Sequence, residues 1–216
     1  MNATRNVVPT RIAGAQRVAA AALLADAFYD DPGFVYCFAP EQSRRAHLQW
    51  LYDHLLGVNM LFGHTYTATR DAAPEAPLAC VASWQPPGVE AGALAMIRGG
   101  MLGVPLRMGA IATKRLIESA LVMSRARRDV VGKRPYWYLD VFAVAHAMHG
   151  QGIGRAMLTR QIDDLARISR RPYMLFTSKE SNVAFYRGSG FQEARVDTIG
   201  GANGYRLWSM VRNATE

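Results

Sequence analysis

Three segments decide the fold: Tyr138-Leu-Asp-Val-Phe-Ala-Val144, then His149-Gly150-Gln151-Gly152-Ile153-Gly154-Arg155, then Asn182-Val-Ala-Phe185-Tyr186-Arg-Gly-Ser-Gly190-Phe191. The first is apolar and β-branched, a strand. The second is a glycine turn that feeds a helix predicted over Gly152 to Ala166, with Leu158, Ile162 and Leu165 on one stripe. Pro172 to Thr177 reads as the next strand and Ser181 to Arg187 as a short helix. A glycine turn at a helix start makes a pyrophosphate cradle, because backbone N–H groups and the positive end of the helix face the anion together. Tyr186 sets a weak acid at the end of the second helix. The pattern predicts an enzyme that holds a phosphate-bearing cofactor and transfers a group from it.

Outward from this centre, Phe191 to Asp197 and Tyr205 to Val211 form an antiparallel pair around Gly200-Gly201-Ala-Asn-Gly204. Upstream, Val7 to Ile12 reads as a strand, and Arg17 to Tyr29 as an alanine-rich helix stopped by Asp30-Asp31-Pro32. Ser43 to Leu56 carries Leu48, Leu51 and Leu55 at helical spacing. His64 to Thr69 and Leu78 to Trp84 make a hairpin about the loop Asp71 to Pro77, closed by Trp84-Gln-Pro-Pro-Gly88. Residues 89–132 read as two helices kinked at Gly99-Gly100 and Gly103-Val-Pro105. Met96, Met101, Met108 and Met123 there suit either a packed core or an adaptable lid over a small-molecule pocket. The expectation is a single α/β domain over residues 1–216 with a helical insertion at about 89–132 and a mixed sheet flanked by helices.

Composition narrows the class. The chain has 216 residues, is 50% hydrophobic and 19% charged, and so belongs with ordered globular proteins. Cys37 and Cys80 show no metal-ligand spacing, and a reduced, cytoplasmic protein is expected. No secretory signal is legible, so the triplets Asn2-Ala-Thr4 and Asn213-Ala-Thr215 are read as without consequence. No run reaches the roughly 20 apolar residues of a membrane span. The net charge is +8, concentrated in Lys114-Arg115 and in Arg125 to Arg134. This run is read as a solvated face or an attraction for a polyphosphate. Without aromatic interleaving or zinc-finger spacing, nucleic acid is not expected.

The glycine turn fits neither common nucleotide loop. A Rossmann site needs three spaced glycines at the first strand–helix junction and an acid about 20 residues on. Here the turn comes at residue 150, and the following strand ends in Thr177-Ser178-Lys179. No Gly-Lys-Ser/Thr follows, as a Walker loop requires. Strand, His-Gly-Gln-Gly-Ile-Gly-Arg, helix, strand and Asn-x-x-x-Tyr ending in Gly-Phe resemble the GCN5-related N-acetyltransferase (GNAT) superfamily. Leu24-Ala-Asp-Ala-Phe28, Trp84 before a proline turn, Val89-Glu90-Ala91-Gly92, Leu175 with Thr177-Ser178, and Phe185-Tyr186 extend the likeness to puromycin N-acetyltransferase-like enzymes.

The resemblance implies a GNAT-type fold: a central, mostly antiparallel mixed sheet splayed between the strands at 137–145 and 172–177. It implies acetyl-CoA as co-substrate. The pantetheine arm would lie along the backbone of Phe142, Ala143 and Val144, with the Val144 N–H polarising the acetyl carbonyl, and against Asn182. The pyrophosphate would rest on the loop of His149, Gly150, Gln151, Gly152, Ile153, Gly154 and Arg155. His149 departs from the signature, whose first residue is Arg or Gln. Tyr186 would protonate the leaving thiolate.

A carboxylate in an apolar strand is paired, exposed or functional. Asp140 would hold or deprotonate the substrate ammonium, or form a salt bridge to a nearby arginine. Strand alternation places it with Tyr138 and Phe142, opposite Leu139, Val141 and Ala143. Puromycin-type enzymes tend to carry a small residue at Asp140 and Glu at Phe176. His146 reads as a surface histidine, and His47 and His54 lack a third ligand, so no metal is expected. The expected function is acetyl transfer, by direct attack in a ternary complex, to the primary amine of a small antibiotic- or metabolite-like molecule by a monomer or homodimer. The alternatives are a protein or peptide amine as acceptor, or a non-catalytic CoA sensor.

Overall fold

The structure is a computed structural model that describes residues 7–69, 76–89 and 93–214. Asn2-Ala-Thr4, Thr215, the loop at 71–75 and Glu90-Ala91-Gly92 lie outside these residues. Among the described residues seven strands form one sheet in the order β1-β2-β3-β4-β5-β7-β6. They are β1 (Thr10–Arg11), β2 (Thr65–Thr69), β3 (Leu78–Gln85), β4 (Trp137–Val144), β5 (Tyr173–Thr177), β6 (Gln192–Ile199) and β7 (Tyr205–Arg212). Every pair is antiparallel except β4 with β5. The sheet is mixed and mostly antiparallel, as expected from the sequence.

Helices cover both faces: α1 (Arg17–Ala27), α2 (Pro32–Cys37), α3 (Glu41–Met60), α4 (Ala93–Arg98), α5 (Val104–Val131), α6 (Ile153–Ile168) and α7 (Glu180–Arg187). One core joins Leu24, Phe38, Leu48 and Leu56 of the N-terminal helices to Val81, Val141 and Ala143 of the sheet. On the other face, Leu158, Ile162 and Leu165 of α6 pack with Trp137, Leu139 and Leu175. These are the residues whose 3.6-residue spacing marked the helix.

Three local readings change. The opening strand shortens to two residues, Thr10 and Arg11, set against Thr67 and Tyr66. Asp30-Asp31-Pro32 ends α1 but also begins α2: Asp31 accepts a 3.0 Å hydrogen bond from the Gly33 N–H, and Pro32 fits the first helical turn, which needs no donor. The chain turns between α4 and α5 where the sequence set a kink, and α5 breaks again at Gly109, whose φ of 80° a side chain would resist. Of the methionines, Met108 is in the core and Met101 packs against it.

The faces of β4 also differ from strict alternation. Ser83 of β3 lies opposite Val141 and Trp84 opposite Leu139, which leaves Asp140 as an extra residue, a β-bulge. A bulge resets the period of two. Asp140 bonds Asn59 of α3, and Val141 and Ala143 join the same helical face. Phe142 goes to the opposite face, stacking on Phe185 of α7 with centroids 5.9 Å apart. Val141 and Ala143 therefore share the side of Asp140, and Phe142 shares the side of Leu139.

Candidate active site

The splay of the sheet makes the site. β4 stays paired with β3 from Tyr138 to Val144, but with β5 only at Trp137, Tyr138 and Leu139. The Ala145 N–H donates to the Ala79 carbonyl at 2.8 Å. Ladder alternation then turns the backbone of Val141 and Ala143 toward β3, and that of Phe142 and Val144 toward the open edge.

A cavity of about 660 Å³ occupies this opening. Its wall brings together Phe142, Ala143, Val144, His149, Gly150, Gly152, Ile153, Gly154, Arg155, Asn182 and Tyr186, as the sequence expected. Gln151 does not line it; its side chain donates to the Ala147 carbonyl at 3.1 Å and ties the loop to itself. His149 ties it again, with Nε2 donating to the Val144 carbonyl at 2.9 Å. Only the N–H of Val144 is then left for the open edge. Gly150 and Gly152 hold φ of 73° and 76°, and Gly152 caps α6 with no side chain over its first N–H groups. An anion placed there meets unpaired donors and the positive end of a 16-residue helix. Gly154 sits on the floor, where a Cβ would come 3.1 Å from Val144 Cγ2 and 3.5 Å from Phe185 Cζ.

A second cavity, of about 520 Å³, lies on the α2–α3–α5 side. Tyr52, Tyr138 and Phe176 line it, with Met96 and Met123 from the helical segment. Asp140 lies in its wall, 2.7 Å from the Asn59 Nδ2 that donates to it. The two cavities share Phe28, Asp31, Phe142, Asn182 and Tyr186. Tyr186 is buried at this junction, its ring held by Phe142 and Phe191 with centroids at 6.5 and 5.9 Å. Desolvation raises its pKa well above the ordinary value, with Cys80 and Asp31 adding to the shift, so it is a neutral, protonated phenol at working pH.

Asp31 was missed as a site residue. Its carboxylate accepts from Ser178 Oγ at 2.5 Å and from the Gly33 N–H, and it is 5% exposed. Burial raises its pKa against the hydrogen bonds and Lys179 that oppose the rise. Burial likewise raises that of Asp140, against hydrogen bonds from Asn59 and Gln85 and the charge of Arg127. Arg127 departs from the solvated reading of the basic run: it lies over the Tyr138 ring at 3.8 Å and lines the second cavity. Asp140 and Arg127 interact by charge through the cavity wall. Cys37 also lines this cavity, and burial pushes its thiol up to about 11, which keeps it protonated. His146 sits at the mouth of the first cavity, with Nε2 donating to the Asp26 carbonyl at 3.1 Å. Among the described residues no three His, Cys, Asp or Glu come together as metal ligands, and no helix is long and apolar enough to cross a membrane.

These shifts have a thermodynamic consequence. Because the folded pKa of Asp31 stands above the unfolded value, the folded state binds the proton more tightly. Stability is therefore lost as pH rises from about 3.9 through the raised value. Asp31→Asn removes this titration, so the Tm of the variant should gain on that of the parent as pH climbs from roughly 4 to 7. Thermal unfolding across the range measures it, and identical pH slopes would refute it.

Residues 109–213 match the family model of the acetyltransferase (GNAT) domain. No curated protein matches the chain in sequence. Among solved structures, it resembles one described as histone acetyltransferase HPA2 and related acetyltransferase from Corynebacterium glutamicum. The identity is 18%, the TM-score 0.66, and 97% of each chain is covered. It also resembles arylalkylamine N-acetyltransferase 2 from Aedes aegypti, at 11% identity and a TM-score of 0.67, covering 98% of this chain and 100% of that one. The ribosomal-protein-S18-alanine N-acetyltransferase of Escherichia coli matches at 14% identity and a TM-score of 0.57, over 97% and 95%. Such identities speak for the fold, and the family model speaks for the domain. Residues 109–213 match the acetyltransferase (GNAT) domain, the chain shares the fold of these solved acetyltransferases, and together they indicate an N-acetyltransferase.

Proposed function

We propose that the protein transfers the acetyl group of acetyl-CoA to the primary amine of a small molecule, by direct attack with both substrates bound. The observation that carries this reading is the meeting of two cavities at Tyr186 and Asp31, one beside an anion-binding loop and one beneath aromatic walls. Acetyl-CoA supplies an activated thioester. The loop from His149 to Arg155 holds its pyrophosphate, with Gln151 and His149 keeping the turn rigid from within. The open edge at Phe142, Ala143 and Val144, with Asn182 opposite, takes the pantetheine arm. The Val144 N–H faces the carbonyl oxygen, where negative charge grows during transfer.

Asp31, at the junction, holds the acceptor amine and takes its proton. Asp140 lies further along the second cavity and adds to the potential that draws a cationic amine in. Tyr186 gives its phenolic proton to the departing sulfur. In balance, a C–N bond forms, a C–S bond breaks, and one proton leaves nitrogen while one reaches sulfur. The protonated state of Cys37 supports direct transfer over an acyl-cysteine route, because the thiolate is the nucleophile.

The order of matching residues favours a puromycin N-acetyltransferase-like parentage, while Asp140 and Phe176 reshape the acceptor side away from puromycin. Helix α5 against the second cavity favours a small molecule over an extended peptide. Mixing the protein with acetyl-CoA and an amine panel while following free thiol tests the reading. Thiol release with one or more amines is expected. Binding of acetyl-CoA without release from any amine would favour a CoA sensor, and no binding at all would sink both.

A further inference from the structure

Arg127 is a charged residue of the second cavity for which acetyl transfer to a simple amine has no use. It belongs to a run of basic residues, yet Arg125, Arg128, Lys133 and Arg134 are exposed while Arg127 turns inward. Leu116, Ala120, Met123 and Arg127 share one helical stripe of α5, and all four line the cavity. The guanidinium lies over the Tyr138 ring at 3.8 Å and bonds that side chain, with the Phe176 ring to one side at 5.6 Å. The rings hold the cation in place at the cavity wall, and its Nε–H remains for a ligand. Nε is buried with no hydrogen-bond partner among the described residues. An orphaned donor on a buried cation costs free energy unless something pairs with it. Asp140 acts on Arg127 electrostatically, but it is engaged by Asn59 Nδ2 at 2.7 Å.

We propose that the acceptor carries a carboxylate as well as its amine, an amino-acid-type molecule with an apolar or aromatic body, and that Arg127 receives the carboxylate. The inference rests on the transferase reading above. Arg127 lines only the second cavity, whereas Asp31 and Tyr186 stand where that cavity meets the first. The acceptor therefore lies with its amine at Asp31 and its acid at Arg127, against the rings of Tyr52, Tyr138 and Phe176. A planar guanidinium pairs a carboxylate through two parallel N–H···O bonds. A phosphate dianion fits less well, since Asp140 and Asp31 share the same cavity.

The test compares aromatic amino acids and ω-amino carboxylates, each beside its carboxamide and its decarboxylated amine. In the parent protein the carboxylate member should show at least about a tenfold higher kcat/KM, the range of a charge-assisted pair. In Arg127→Met that ratio should collapse toward about one, and Arg127→Lys, which keeps the charge but not the fork, should restore part of it. Circular dichroism confirms that the variants fold. Calorimetric titration of the same probes, with CoA present, gives the ratio without turnover. A protein that never releases thiol would thus overturn the transferase reading, while the binding ratios still decide the role of Arg127. Equal affinity for acid, amide and plain amine in the parent, or a preference that survives Arg127→Met, would overturn this inference.

Discussion

Replacing Tyr186 by phenylalanine lowers kcat by roughly 10²–10⁴-fold, the range of a lost general acid, with CoA affinity changed by no more than about twofold. The substitution deletes one oxygen and keeps the ring. The contacts with Phe142 and Phe191, at 6.5 and 5.9 Å, survive, so packing at the junction is preserved. In the proposed mechanism, what is lost is the proton. A thiolate of pKa near 8.5 leaves poorly from a dry cleft unless a donor is at hand, and the protonated Tyr186 phenol is the donor proposed at this junction. Steady-state kinetics with saturating acetyl-CoA, beside calorimetry of CoA, separates the two quantities. An undiminished kcat would remove Tyr186 from the mechanism.

Gly154→Val should weaken CoA binding by roughly tenfold to a hundredfold, with a small loss of thermal stability. A Cβ there meets Val144 Cγ2 at 3.1 Å and Phe185 Cζ at 3.5 Å, and the further methyls of valine must press one of them aside. Overpacking of this kind costs about 1–3 kcal/mol. Both neighbours line the first cavity, so what gives way is the space proposed for the pantetheine arm. At 1.4 kcal/mol per decade, that energy corresponds to the stated loss. Calorimetric titration with CoA measures it, and an unaltered dissociation constant would mean that the arm lies elsewhere.

Much of the fold was legible because its signals are local. The stripe of Leu158, Ile162 and Leu165, the glycine turn before it and the strand Pro172 to Thr177 each depend on residues within a few positions of one another. The Asn182 to Tyr186 segment was legible by resemblance rather than by periodicity. What escaped depends on distant chain. Asp31 followed by Pro32 is a helix start, but six residues of α2 are too few to show a stripe, so in the sequence the pair reads only as a stop. Arg127 hid inside a charge run whose other members are exposed, although its spacing from Leu116, Ala120 and Met123 placed it on the inner stripe. The bulge at Asp140 left no trace at all, because no glycine or proline interrupts Trp137 to Val144.

That bulge makes β4 two half-strands in opposite phase. Before it, the even-numbered Tyr138 faces the α5 side; after it, the even-numbered Phe142 faces the α7 side. The two chemistries proposed for the site are therefore written in separate sets of positions along one strand. Exchanges at Tyr138 or Asp140 can retune which acceptor is admitted and leave the donor's seat as it was. Removing one residue would merge the phases, and every side chain upstream of the cut would change allegiance at once.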